Sequence, residues 1–314
     1  MRILVAGAAG ALGTQLVPRL VAAGHEVTGL TRGPQKRAAV EALGAKHCAA
    51  DALDPDDVAR AVAEARPEVI VHQLTALAGT MDLRHFDRSF AQTNRLRTEG
   101  TDHLLAAARA VGVRRVVAQS FAGWPFTRTG GPVKSEEDPL DPTPLPEMRE
   151  TLAALRHVER AVTTADHLEG LVLRYGGFYG PGTSLDGPDS EHLALVRKRT
   201  FPVVGGGAGV WSFVHVQDAA EATVAAVEHG PRGVYQVVDD EPAAVAQWLP
   251  AVAATAGAKP PRHVPRIVGR LVAGRVPTVM MTEVRGASNA KAKAVLGWQP
   301  SHPTWRGVLG ASGA

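Results

Sequence analysis

The 314-residue chain has a single cysteine, Cys48, only three tyrosines, and no apolar run of membrane-spanning length. One thiol cannot form an intrachain disulfide or a multi-cysteine metal site, which agrees with a reducing compartment. Cys48 itself reads as a small buried hydrophobe. The opening run Ile3-Leu4-Val5-Ala6 stops at Gly7, too short for a secretory signal, so a cytoplasmic location is expected. An excess of one charge is also lacking. The formal net charge is +3, and the basic residues are scattered rather than gathered with aromatics into a stripe, which argues against a nucleic-acid partner. Nothing in the chain calls for a membrane. There is no His-x-x-x-His pair, no cysteine cluster and no Gly-x-Ser-x-Gly turn, so neither a metal site nor a hydrolase nucleophile is expected.

What is present is a recurring alternation. Apolar segments of strand length stand at Ile3–Ala6, Glu26–Leu30, Lys46–Ala50, Val69–Gln73, Val116–Gln119 and Leu171–Tyr175, with helical periodicity between them, as in Leu12–Ala23 and Thr98–Ala110. Near-continuous apolar strands alternating with helices predict an α/β fold of Rossmann type, a doubly wound parallel sheet with helices on both faces. Residues 1–175 are expected to form the dinucleotide-binding domain, segments of about 208–240 to return to it, and 176–314 to form mainly a small C-terminal substrate lobe. A tract from Thr129 to Pro146 with five prolines reads as a loop or lid. The basic stretch Arg262 to Arg275 reads as an amphipathic helix with a solvated polar face, and Pro242–Ala256 as a helix.

Gly7-Ala8-Ala9-Gly10-Ala11-Leu12-Gly13 joins the first strand directly to the first helix. Backbone N–H groups at a helix N-terminus hold a pyrophosphate, and glycine lets the chain approach it closely, so Gly7, Gly10, Ala11, Leu12 and Gly13 are candidate cofactor residues. The second strand ends at Leu30-Thr31-Arg32, with no acidic residue before Glu41. An acid there would grip the ribose hydroxyls of NAD(H), whereas Arg32 suits the 2′-phosphate of NADP(H). NADP(H) is therefore expected as preferred cofactor, with NAD(H) as the alternative.

From these residues onward the chain resembles the extended short-chain dehydrogenases, the NAD-dependent epimerase/dehydratase family, over nearly its whole length. The resemblance implies adenine contacts at Asp51 and Ala52, a segment at Leu74 and Thr75 beneath the cofactor, and a further cofactor position at Asn94. Val116-Val117-Ala118-Gln119-Ser120 is similar to the strand ending in the catalytic Ser/Thr, and Arg174-Tyr175-Gly176-Gly177-Phe178-Tyr179-Gly180-Pro181-Gly182 to the loop beside the nicotinamide. Phe213-Val214-His215-Val216-Gln217-Asp218 and Leu296-Gly297-Trp298-Gln299-Pro300 resemble two late signatures. Family members pair through two helices, here Thr98–Ala110 and Pro146–Thr163, which implies a homodimer contact using Leu104, Leu105, Leu152 and Leu155.

The same resemblance exposes a gap. Family members use a Tyr, with a Lys four residues later, to move a proton. Thr151 and Leu155 fall at those positions, and none of Tyr175, Tyr179 and Tyr235 is followed by Lys four residues on. Ser120, Tyr179 and Tyr175 are the candidate catalytic groups in their absence, with Arg149, Glu150, Arg156 and His157 behind them. His72 and His215 lie in apolar runs and read as core histidines. Trp211 stands where nucleotide-sugar enzymes of the family carry a diphosphate-binding Arg, so an apolar substrate is expected, contacted by Trp124, Phe178, Trp211 and Met280. The function expected is an NADP(H)-dependent oxidoreductase of a largely apolar carbonyl or alcohol. The alternatives are a lyase, isomerase or cyclase with a retained nucleotide pocket, and a non-catalytic nucleotide sensor.

Overall fold

The computed structural model describes residues 1–77, 82–187 and 190–309. Its centre is a parallel sheet of seven strands: β1 (Arg2–Ala6), β2 (Glu26–Thr31), β3 (Lys46–Ala49), β4 (Val69–His72), β5 (Arg115–Phe121), β6 (Glu169–Tyr175) and β7 (Gly233–Val237). Their spatial order is β7-β6-β5-β4-β1-β2-β3. All six expected strands are present, and the segment expected to return from the second half supplies β7, paired with β6 from Gly233↔Leu171 to Val237↔Tyr175.

Period-two alternation sends neighbouring residues of β1 into different layers. Ile3 and Val5 pack with α1 (Ala11–Ala22) and the helix Val216–Glu228, whereas Leu4 and Ala6 pack with the helix Pro55–Ala65 and other helices of the opposite face. That second face also receives α2 (Phe86–Arg97), α3 (Glu99–Val111) and α4 (Arg149–Thr164). A separate cluster around Trp248, Phe213 and Trp305 forms the core of the C-terminal lobe.

Several expectations need correction. The proline-rich tract is pinned rather than free. Its Val133–Lys134 pairs with Gly286–Ala287, and its Glu136 accepts a hydrogen bond from the Gln236 N–H on β7 at 2.7 Å. Pro242–Ala256 opens with the two-residue strand Ala243–Ala244 before turning helical at Val245. Cys48 is half-buried rather than interior. The stretch Arg262 to Arg275 contains the short strand His263–Val264 and then α5 (Arg266–Ala273), whose aliphatic side faces outward: Ile267 is 75% and Leu271 80% exposed. Gly269 explains the orientation, because a Cβ there would lie 2.5 Å from the Val204 side chain, so the helix rests its glycine on the short strand Val203–Val204. Finally, of the four leucines expected at a dimer contact, Leu104, Leu152 and Leu155 are buried within the chain and Leu105 alone is partly exposed.

Candidate active site

The strand order reverses between β1 and β4, and ligands of such sheets sit where the carboxyl ends diverge. Gly7 leaves β1 with φ +96°, and its N–H donates to Leu30 O at 3.1 Å. A side chain at Gly7 would bring Cβ 2.7 Å from the Gln73 carbonyl oxygen; at Gly13 it would lie 2.4 Å from the carbonyl oxygens of both Gly7 and Ala8. These contacts are with backbone, which cannot yield, so both positions require glycine. Gly10 caps α1 without a side chain. The first-turn N–H groups of Ala11, Leu12 and Gly13 have no carbonyl one turn earlier in the helix to bond, and they stand at the positive end of the helix dipole. Helix-terminal amides without main-chain partners, behind a cap position that carries no side chain, fit a dinucleotide pyrophosphate.

The other cofactor candidates border the same carboxyl edge. Thr31 ends β2, with its hydroxyl donating to Gly33 O and lying 2.8 Å from His47 Nε2. Arg32 is exposed and has no partner among the described residues. Asp51 and Ala52 follow β3, where Asp51 Oδ1 accepts from the Leu53 N–H at 3.0 Å and fixes a tight turn. Leu74 is half-buried and Thr75 exposed just beyond β4. Asn94 is different. It lies on α2, and its amide donates to Thr151 Oγ1 at 3.1 Å, tying α2 to α4.

The three catalytic candidates do not converge. Ser120 is paired in register with Arg174, and both meet Glu159 of α4: Ser120 Oγ donates at 2.6 Å, and the Arg174 guanidinium donates twice at 2.7 Å. Tyr175, the next residue along β6, projects to the opposite face, where its hydroxyl is 2.6 Å from Thr223 Oγ1. Tyr179 donates to Thr304 O at 3.2 Å in the C-terminal lobe. All three are buried. Burial holds both tyrosine hydroxyls well above their ordinary pKa, the reverse of what a proton donor near neutrality needs. Of the weaker candidates, His157 pairs with Asp102 at 2.7 Å, and Arg149, Glu150 and Arg156 are exposed.

Positions 151 and 155 are closed as well. Thr151 is fully buried, and its N–H and hydroxyl both donate to Asp87 Oδ1, at 2.9 and 2.6 Å. Leu155 is 1% exposed. His72 and His215 are buried, as expected of core histidines. Burial drives the His72 pKa down to about 4, so its imidazole, 3.0 Å from Thr101 Oγ1, is neutral. His215 stacks on His302 at 3.7 Å beside Asp218, whose carboxylate oxygens accept the N–H groups of Ser301 and His302 at 3.0 and 2.8 Å. That trio tethers the C-terminal segment.

Three of the four substrate candidates meet. Trp124, Trp211 and Met280 join one apolar cluster with Phe86, Phe90, Leu145 and Met148. Trp124 meets Phe86 edge-on at 5.2 Å, and Trp211 Nε1 donates to Met280 O at 2.8 Å. Phe178 instead leans on Tyr175, with ring centroids 5.3 Å apart. Phe86 and Phe90 were missed in the sequence, although their i, i+4 spacing on a helix was the available signal. A surface concavity of about 760 Å³ borders that cluster at Leu145 and is otherwise lined by Arg128, Arg149, Arg156, Arg275 and the prolines between 142 and 146.

Sheet order, glycine turn and amide cradle together define a nicotinamide-dinucleotide-binding α/β enzyme fold. Sequence comparison agrees: the pattern of the NAD dependent epimerase/dehydratase family matches residues 3–237, and the chain belongs to that family. It is 48% identical over 311 residues to a 3-diazoavenalumate denitrifying reductase from a Streptomyces species, covering 99% of each chain. It is 31% identical over 324 residues to a UDP-glucose 4-epimerase from Mycolicibacterium smegmatis, covering 98% of this chain and 96% of the other. The solved structure of Thermus thermophilus UDP-glucose 4-epimerase in complex with NAD superposes with a TM-score of 0.74 at 26% identity, over 99% of this chain and 97% of that one. The chain is an enzyme, an oxidoreductase on an NAD-binding Rossmann fold. Among the described residues no helix is long and apolar enough to cross a membrane.

Proposed function

We propose that the protein is an NADP(H)-dependent reductase that removes a diazo group from an apolar aromatic acid as N2. The observation that carries this reading is the closed interior at positions 151 and 155. Reduction of a carbonyl leaves an alkoxide that must take a proton, which is why such enzymes keep an acid beside the substrate. Here those positions hold a committed threonine and a buried leucine. An aryl diazo group in its diazonium form is already cationic and needs no acid to release N2, and the relative at 48% identity is named for a diazo substrate and its denitrification.

A reduced nicotinamide bound in the crevice would supply a hydride to the aryl carbon, so that a C–H bond replaces the C–N bond, whose electron pair leaves with N2; the hydride neutralises the diazonium charge, and an ortho-oxide left as phenolate takes its proton from water after nitrogen has gone. The chain's part is positioning and exclusion. Ala11, Leu12 and Gly13 hold the pyrophosphate through their amides, and Arg32 meets the 2′-phosphate. Trp124, Phe86, Met148 and Met280 surround the ring and keep water from it, which matters because water competes with hydride for an aryl carbon losing N2. The expected carbonyl substrate gives way to a diazo group in this reading; the apolar pocket and NADP(H) remain. A homodimer through α3 and α4 would rest on Leu105 and the polar residues of those helices.

The test is turnover of two matched substrates with NADPH, an ortho-hydroxyaryl diazo carboxylate and the aldehyde of the same skeleton. The diazo compound is expected to be consumed and the aldehyde left. Reduction of the aldehyde with no reaction of the diazo compound overturns the reading, and tight NADPH binding without turnover of either favours a sensor.

A further inference from the structure

Three cations are buried among the described residues: Lys134, Arg174 and Arg97. Lys134 Nζ has Asp138 Oδ1 at 3.0 Å and Thr129 O at 2.8 Å, and Arg174 grips Glu159 through two bonds. Arg97, at the end of α2, has neither. It is 5% exposed, no carboxylate pairs with it, its guanidinium makes no hydrogen bond among the described residues, and Nη1 is sealed from solvent without a partner. The Phe90 ring centre lies 5.9 Å from its guanidinium carbon. Burial lowers its pKa only to about 10, so it stays charged at neutral pH. An unpaired buried charge costs several kcal/mol and persists where something else supplies the counter-charge.

The surroundings say where that counter-charge enters. Phe90 belongs to the apolar cluster of Trp124, Trp211 and Met280. His72, whose imidazole feels the Arg97 charge, ends β4 at the crevice. Arg97 thus adjoins the aromatic cluster through Phe90 and the end of β4 through His72. The arginines around the surface concavity are unlike it: Arg128 pairs with Asp141 and Glu283, Arg275 faces Glu147, and Arg149 and Arg156 are exposed.

We infer that Arg97 is a ligand-binding residue that receives an oxyanion, either a phosphate of the nucleotide or the carboxylate of the substrate, and that the ligand-free protein holds its charge uncompensated. The inference rests on the nucleotide crevice proposed above. A neutral side chain of similar length, Arg97→Met, therefore has opposite effects on the free and the liganded protein. The thermal midpoint of the ligand-free variant is expected to rise, because an uncompensated buried charge is gone. Ligand affinity is expected to fall at least tenfold. An arginine with a purely structural role would give the reverse for the free protein.

The experiment measures the ligand-free thermal midpoint of wild type and Arg97→Met, then titrates each by calorimetry with NADPH and, on the NADPH complex, with cinnamate and methyl cinnamate. A weaker NADPH titration assigns the anion to the nucleotide. Unchanged NADPH with weaker cinnamate, and no change for the uncharged ester, assigns it to the substrate. A lower midpoint in the ligand-free variant, or equal affinities for NADPH and cinnamate in both proteins, overturns the inference. Failure of the wild type itself to bind NADPH would instead strike the nucleotide crevice.

Discussion

The carboxyl edge of β1 and the aromatic cluster around Trp124 and Met280 are built on different principles. At the first, backbone shapes the proposed cofactor cradle, and side chains matter chiefly by their absence: a Cβ at Gly7 or Gly13 collides with carbonyl oxygens at 2.7 and 2.4 Å. At the second, Trp124, Trp211, Phe86 and Met280 come from distant parts of the chain and pack into one apolar cluster through their side chains. A backbone site tolerates no change at a few positions and any change elsewhere. A side-chain site drifts position by position, which is how one fold serves reductases and epimerases alike.

That contrast is open to attack at both ends. Gly13→Ala is expected to have the largest effect, abolishing NADPH binding and costing about 3 kcal/mol or more of stability, because the new methyl meets immovable backbone; unchanged calorimetric binding would show that the turn is not the cradle. His72, behind the edge of β4, comes next. Its folded pKa of about 4 lies below the unfolded value of about 6.5, so the unfolded chain takes up the proton first as pH falls. The stability its neutrality secures above pH ~6.5 is lost progressively towards pH ~4, with about 2 kcal/mol gone by pH ~5. Urea midpoints at neutral and acid pH should show a smaller acid loss in His72→Asn; an equal loss would place the titration elsewhere.

The smaller effects separate the two regions. Trp124→Leu removes an edge-on contact with Phe86 and is expected to raise KM for the aromatic substrate about tenfold while leaving the NADPH dissociation constant within about twofold. Arg32→Glu is expected to do the opposite, shifting preference from NADPH towards NADH by about tenfold, roughly 1.4 kcal/mol, with the substrate KM unmoved. Parallel changes in both parameters for either variant would mean the two regions are not independent.

Legibility in the sequence follows the same division. Strands β1 to β6 and the glycine turn were readable because sheet burial and the turn's conformation constrain local sequence directly. The absence of any Tyr followed four residues later by Lys was readable too, since it depends only on spacing. The burial of Ser120, Tyr175 and Tyr179 was not: each carries a hydroxyl suited to chemistry, and only the packing of Glu159, Thr223 and Thr304 shows that each is already occupied. Arg97 was invisible for a related reason. Between Arg95 and Thr98 it looks like any helical cation, whereas Arg95 reaches Glu99 at the surface and Arg97 turns inward. The outward aliphatic side of α5 was equally hidden, because Gly269 sets its rotation through contact with Val204.

The central claim is that reduction here proceeds with loss of nitrogen and without a proton-donating residue. The most direct measurement follows gas release and NADPH oxidation in one sealed vessel containing the enzyme and an ortho-hydroxyaryl diazo carboxylate. Equimolar N2 and oxidised cofactor, with the hydrogen-substituted arene as product, is the predicted result. NADPH oxidation without N2, or a hydroxylated product released with the cofactor untouched, would contradict it.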